Sequence, residues 1–185
     1  MQELSLNVLD IAQNSIRAGA ALIAITAEER RADAFLEITV SDNGCGMTEE
    51  QVKRVMDPFF TTRTTRKVGL GVPFFKMSAE ATGGDFSIVS RPGEGTTVSA
   101  RYHTDHIDML PLGDMNATIL SLITMNPDLD FVYTRSLDGN PYVLDTRELK
   151  EVLEDVPLNA PDVVLYLKEA LEEGTAALYG TPDTN

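Results

Sequence analysis

This 185-residue sequence predicts an α/β two-layer sandwich, with helices on one face of a mixed sheet. Three observations lead there. Apolar residues recur at helical spacing in some segments and alternate at strand spacing in others. Two pairs of strand-like segments are joined by short charged or Gly/Pro turns. The order along residues 1–104 is helix, paired strands, helix, loop, helix, paired strands.

Taken in order, residues 2–18 read as an amphipathic helix, with Leu4, Val8, Ile11 and Ser15 on one stripe. Gly19 stands where a C′ glycine would stop it. "ALIAITAEE" and "AFLEITVSD" read as strands flanking the charged turn "RRADA". "TEEQVKRVM" reads as a helix opened by Thr48, with Glu49 and Glu50 in the turn where the helix dipole favours negative charge. A lid-like stretch at 60–68 precedes a helix over about 72–82, with Pro73 in its first turn and "TGG" at its end. "DFSIVSR" and "GTTVSARYH" form a hairpin across "PGEG".

From about Asp105 the pattern changes. "GDMNATILSLITM" reads as a helix, and "DFVYTRSL" and "NPYVLD" as a hairpin across Asp138-Gly139. "DTRELKEVLEDV" is a helix that Asp145 caps, with Glu148 three residues on as in an Asp-led capping box. "APDVVLYLKEALEEG" is the last helix, followed by a frayed tail. Val152, Val163, Leu167 and Leu171 are expected to pack these two helices. Glu151, Glu154, Glu169, Glu172 and Glu173 are expected to face outward.

Bulk properties narrow the function. With 43% hydrophobic and 24% charged residues, the chain is a globular protein and not a disordered one. No apolar run approaches a membrane span, and no basic-then-apolar signal opens the chain, so a cytoplasmic protein without a membrane partner is expected. The single cysteine, Cys45, excludes an intrachain disulfide and a Cys-based zinc site. The net charge of −14 is uneven: residues 1–104 carry 11 Lys+Arg against 13 Asp+Glu, residues 105–185 only 4 against 16. Two units are therefore expected, 1–104 and an acidic segment 105–185 that docks a partner or regulates. Such acidity opposes nucleic acid as a partner.

The residues with chemical potential sit in the first unit. Asp10, Asn14 and Arg17 share one helix face, where a carboxylate, an amide oxygen and a guanidinium can orient water, hold Mg²⁺ and neutralise phosphate. In "DNGCGM", Asp42 ends a strand, and Gly44 and Gly46 permit close approach of a flat ligand. "GLG" at Gly69, Leu70 and Gly71 leads into a helix N-terminus, whose free amides bind anions.

"DIAQNSIR", "DNGCGM", "DPFFTTR", "GLGVPFFK" and "GEGTTV" resemble, in order and spacing, the N, G1, F and G2 boxes and closing strand of the GHKL ATPases. The resemblance covers residues 2–103 and implies the Bergerat fold, ATP and Mg²⁺. It implies that Asn14 ligates the metal and that Asp10 takes the slot of the water-activating Glu. Asp42 would accept the adenine amine, helped by Thr96. Gly44 and Gly46 would shape the adenine pocket, and Gly69, Leu70 and Gly71 would cradle phosphates. Phe59 and Phe60 would anchor a lid in the core. Thr61, Thr62 and Arg63 would begin its closing segment, with Arg66 and Lys67 as further phosphate contacts.

Arg17, three residues after the Asn, and the spacing of "DPFFTTR" to "GLG" are similar to sensor histidine kinases. The resemblance therefore implies a stand-alone histidine-kinase-type catalytic domain acting on a protein phosphoacceptor, with a homodimer allowed. The alternatives are a nucleotide-gated regulator akin to anti-sigma factors and a slow ATPase switch of the MutL or chaperone kind. The dimerising helical hairpin that carries the phosphorylated His in sensor kinases is expected to be missing upstream of the first helix. "HIDMLPL" has the His-to-Pro-Leu spacing of a phosphoacceptor box but no acidic residue after His106. His103 and His106 are read as polar residues at the junction of the two units.

Overall fold

The computed structural model describes residues 3–59 and 70–180. Among the described residues, six helices and six strands follow the predicted order: α1 (Leu4–Arg17), β1 (Leu22–Arg30), β2 (Phe35–Asp42), α2 (Glu49–Met56), α3 (Gly71–Ala81), β3 (Asp85–Arg91), β4 (Gly95–His103), α4 (Met115–Met125), β5 (Asp130–Leu137), β6 (Asn140–Asp145), α5 (Thr146–Leu153) and α6 (Pro161–Tyr179). The strands form one mixed sheet in the order β3-β4-β2-β1-β5-β6, in which only β1 and β5 are parallel.

Local chemistry explains the boundaries. α1 ends in a Schellman motif: the Ala20 N–H donates to Ser15 O and the Gly19 N–H to Ile16 O, with Gly19 at φ 77°. The short α2 opens in a capping box, Thr48 accepting the Gln51 N–H while the Gln51 side chain accepts the Thr48 N–H. Asp145 caps α5 by accepting the Arg147 N–H at 3.0 Å, and the Arg147 guanidinium donates to its second oxygen at 2.9 Å, in place of the expected capping box with Glu148.

Alternation sorts each strand. Ile23, Ile25 and Ala27 of β1, Ile38 and Val40 of β2, Val98 and Ala100 of β4 and Phe131 and Tyr133 of β5 lie in register on one buried face. Leu4, Val8, Ile11, Phe75, Ile119 and Leu167 of the helices belong to the same buried cluster. The opposite face is polar, with cross-strand pairs such as Thr39–Ser99 at 3.0 Å and Ser41–Thr97 at 2.8 Å. The sheet and core run across residue 104: β1 pairs β2 along one edge and β5 along the other.

Three expectations are corrected. Phe59 is 78% exposed and not a core anchor, because the Asp57 carboxylate accepts the Phe59 N–H at 2.8 Å in a tight turn after α2. Val152 is 81% exposed, since α5 turns Leu149 and Leu153 to the core instead. The last helix does not fray after residue 174 but continues to Tyr179. Gly174 serves close approach there, as a Cβ would fall 2.2 Å from the Tyr142 ring. Val163, Leu167 and Leu171 are buried and the five expected outward glutamates are exposed. Phe60, Thr61, Thr62, Arg63, Arg66, Lys67 and Gly69 lie outside the described residues.

Candidate functional site

β2 delivers Asp42 to the end of the covered sheet face, opposite Thr96 of β4 in register. Both carboxylate oxygens are engaged. The Ser15 hydroxyl donates to Oδ2 at 2.6 Å, and the Gly44 N–H donates to Oδ1 at 2.9 Å. Ser15 is buried on α1, so the helix fixes the carboxylate at its rotamer while further lone pairs remain for a ligand. Asn43 pins the loop from the other side: its Oδ1 accepts the Ala21 and Leu22 N–H groups at 2.8 and 2.9 Å.

Beside Asp42 opens a cavity of about 220 Å³. Ile11, Val40, Val72, Ile88 and Val98 give it apolar walls; Asn14, Ser15, Asp42 and Thr96 give it a polar rim. It is below the roughly 300–1,000 Å³ of sites that enclose drug-sized ligands, and so accounts for a base-sized part of one. Thr96 Oγ1 and Ser90 Oγ are 2.8 Å apart, and Ser90 Oγ also accepts the Met47 N–H at 2.8 Å, tying the glycine loop to the β3–β4 hairpin. Gly46 lines the cavity at φ 68°, and a Cβ there would lie 1.9 Å from Arg91 O. Its glycine is thus required by the neighbouring backbone. Gly44 packs against Ala18 and does not line the cavity.

Asp10, Asn14 and Arg17 are stacked on α1 as their spacing requires. The Arg17 Nη1 donates to Asn14 Oδ1 at 3.0 Å, and the Asn14 Nδ2 is buried without a partner. Burial pushes the Asp10 carboxyl above its ordinary pKa, and the Arg17 charge opposes that shift. The first residue of α3, Gly71, abuts Asp10: a Cβ on Gly71 would fall 2.7 Å from Asp10 Cβ. Leu70 is the N-cap residue of α3. The structure therefore brings Asp10, Asn14, Asp42, Gly46, Gly71 and Thr96 to one side of the molecule, with exposed Arg17 at the outer end of the row.

No group of three His, Cys, Asp or Glu that would hold a metal occurs among the described residues. Asn14 offers a single neutral oxygen, one lone pair of which accepts from Arg17 Nη1 and one of which is left for a cation. This donor set suits a Mg²⁺ ion that arrives with phosphate and water ligands and takes one oxygen from the protein. The orphaned Asn14 Nδ2 is a donor left for a ligand oxygen.

Sequence reasoning missed Ser15 and Ser90 as site residues. For Ser15 a signal existed, because a hydroxyl occupies a stripe position otherwise held by Leu4, Val8 and Ile11. His106 lies in the turn after β4, where its Nδ1 accepts the Asp108 N–H at 3.0 Å.

The family described as histidine kinase-, DNA gyrase B- and HSP90-like ATPase matches residues 1–106, and the chain belongs to that family. It is 38% identical over 65 residues to the signal transduction histidine-protein kinase AtoS of Escherichia coli K12, covering 35% of this chain and 10% of that protein. It is 33% identical over 98 residues to the histidine protein kinase DivJ of Caulobacter vibrioides, covering 51% and 16%. The chain thus spans less than a fifth of these relatives. Among solved structures, the Aquifex aeolicus MutL ATPase domain complexed with ADP aligns with a TM-score of 0.48 at 14% identity, covering 91% of this chain and 88% of that one. No helix among the described residues is long and apolar enough to cross a membrane.

Proposed function

We propose that residues 1–104 bind Mg·ATP and act as a histidine-kinase-type catalytic unit in cytoplasmic signalling. The γ-phosphate would pass to a partner protein, and residues 105–185 would serve as the docking or regulatory segment. One observation carries the reading: Asp42 is held by Ser15 and Gly44 at the rim of an apolar slot. A fixed acceptor at the end of a slot with aliphatic walls selects a flat heterocycle that presents an amine donor, as adenine does. Thr96 stands beside it as a second polar contact.

Asn14 would contribute the protein's oxygen to the metal, and Mg²⁺, when bound, neutralises phosphate charge. Arg17, Leu70 and Gly71 would line the path of the phosphates, with Thr62, Arg63, Arg66, Lys67 and Gly69 as further contacts by sequence. Positioning and charge stabilisation are most of what phosphoryl transfer asks of a protein. Asp10 sits where the ATPase relatives activate water, but its carboxylate is one methylene shorter than Glu. Slow hydrolysis and transfer to a protein are the expected balance.

The test uses γ-labelled ATP, the full chain and a cell lysate. A labelled partner that disappears with Asp42→Ala and with Asn14→Ala supports the reading. Free phosphate released at about 1 per second or faster, with no labelled protein, favours an ATPase switch instead. Equal ATP affinity of wild type and Asp42→Ala by calorimetry would sink the pocket assignment.

A further inference from the structure

The opposite end of the molecule from the cavity carries a second concave surface. A groove of about 590 Å³ runs between β6, α5 and α6. β6 is the last strand in the sheet order, so alternate N–H and C=O groups along its outer edge have no strand partner among the described residues. Four consecutive β6 residues, Tyr142 to Asp145, line the groove, which places that edge along its length. The walls are apolar and in part bare: Val143 is 53% exposed, Val152 81% and Tyr166 55%. Edge strands are ordinarily blunted by lysine, by a bulge or by a covering element. Among the described residues, Pro141 near one end of the strand is the feature of β6 that does so.

The charges around the groove are of one sign. Glu148 and Glu173 line it, both are exposed, and neither has an ion-pair partner among the described residues. Asp145 and Arg147 neutralise each other at 2.9 Å, and Lys150 is held by Asp130 at 2.8 Å. Lys168 lies between the groove-lining Tyr166 and Ala170 in sequence, which turns it to another face of the α6 helix. A second copy of the chain would bring the same two glutamates and a segment that carries 16 acidic residues against 4 basic ones. Like charge therefore opposes pairing of two β6 edges.

We infer that this groove takes an extended, basic segment of a partner protein, which adds to the free edge of β6 as a further strand. Backbone hydrogen bonds to β6 would give affinity. Side chains on the strand face turned to α5 and α6 would meet the groove, apolar ones resting on Val152 and Tyr166 and Lys or Arg pairing with Glu148 and Glu173. The inference rests on the reading of 105–185 as a docking segment, and supplies its surface and the chemistry of its partner.

The probe is a fluorescent eight-residue peptide, Val-Thr-Lys-Thr repeated, which puts valine and lysine on one strand face, titrated into the full-length protein at about 0.05 M and about 0.5 M salt. Binding that weakens with salt is expected. Glu148→Lys combined with Glu173→Lys should weaken it at least about tenfold more than Glu154→Lys combined with Asp155→Lys, a pair of the same net charge outside the groove. The peptide N-methylated along one backbone edge should lose about tenfold or more against wild type, while methylation along the other edge should cost little. No binding at low salt, equal loss in both charge-reversed proteins, or indifference to N-methylation on both edges overturns the inference. Concentration-dependent dimerisation that the peptide does not compete with overturns it too. Calorimetry with Mg·ATP on the same samples separates the two readings. A protein that binds the peptide but not ATP sinks the catalytic assignment alone, and one that binds ATP but not the peptide sinks the groove alone.

Discussion

Both ends of the helix-covered sheet face are polar, yet one is open and the other is filled. At the open end, Asp42 and Thr96 lie opposite each other in neighbouring strands and border a cavity, with Ser90 bonded to Thr96 from the next strand. At the filled end, Arg135 is 5% exposed; its Nη2 donates to Glu29 at 3.4 Å and to the Tyr179 hydroxyl. Tyr179 in turn donates to Glu29 at 2.9 Å, and its ring lies 5.8 Å from the guanidinium carbon of Arg135. The contrast comes from where the helices stop. α6 runs on past Gly174 and brings Tyr179 over its end of the sheet. α1 is halted at Ala18 by its Schellman motif and α3 begins only at Gly71, so the Asp42 row has no aromatic lid from either. Polar residues at a sheet end become a site or a clamp according to what covers them.

Removing the filled end altogether should do the most damage. A chain ended after Thr104 loses β5, the partner of β1 over eight residue pairs, and uncovers Ile23 and Ile25. Aggregation is expected by light scattering, with loss of the native circular dichroism. A soluble 1–104 fragment that binds ATP normally would show the two ends to be independent. Next, Arg135→Ala leaves Glu29 without its cation beneath α6 and should cost about 3 kcal/mol in urea unfolding. Its ATP affinity should equal that of wild type, and an equal loss of affinity would break the contrast.

Ser15→Ala acts on the open end. It removes one donor to Asp42 and should cost about 1 kcal/mol of stability while weakening ATP about three- to tenfold. Unchanged affinity would mean that Ser15 does not orient the carboxylate. Asp10→Asn should have the smallest effect. Burial raises the folded-state pKa of Asp10, so the folded protein holds its proton longer than the unfolded chain does. Wild type therefore loses stability as pH rises through the carboxylate range, and the Asn variant does not. A small rise in Tm at neutral pH, vanishing near about pH 3, is expected from thermal scans.

Much of the fold was legible because each element carried its own stop signal: Gly19 after α1, Thr48 before α2, the glycine turns of both later hairpins. What periodicity cannot say is which strand pairs with which. Nothing in "DFVYTRSL" announces that it lies parallel to "LIAITAEE", so the acidic segment read as an appendage where it completes a sheet. Asp42, Asn14 and Asp10 could be singled out because glycine clusters accompany a carboxylate, an amide and a guanidinium at one-face spacing, and the structure puts them on one side of the molecule. Ser15 carried a weaker signal, a hydroxyl on an apolar stripe, whose meaning depends on Asp42 of the strand opposite. Gly174 misled for a similar reason, its role being set by the Tyr142 ring from a distant strand.

The parallel pairing of β1 with β5 also has a consequence in time. Leu22 pairs with Asp130 and Glu29 with Leu137, so contacts at the centre of the sheet span more than a hundred residues of chain. Loop closure over that distance is slow, and proteins rich in such contacts fold late. As the chain leaves the ribosome, β1 and β2 can pair early, but the second edge of β1 stays bare until Leu137 has been made. During that interval the nascent protein presents an apolar strand edge to everything around it. The cavity beside Asp42 is therefore expected to form only after synthesis has passed well beyond the last residue that lines it.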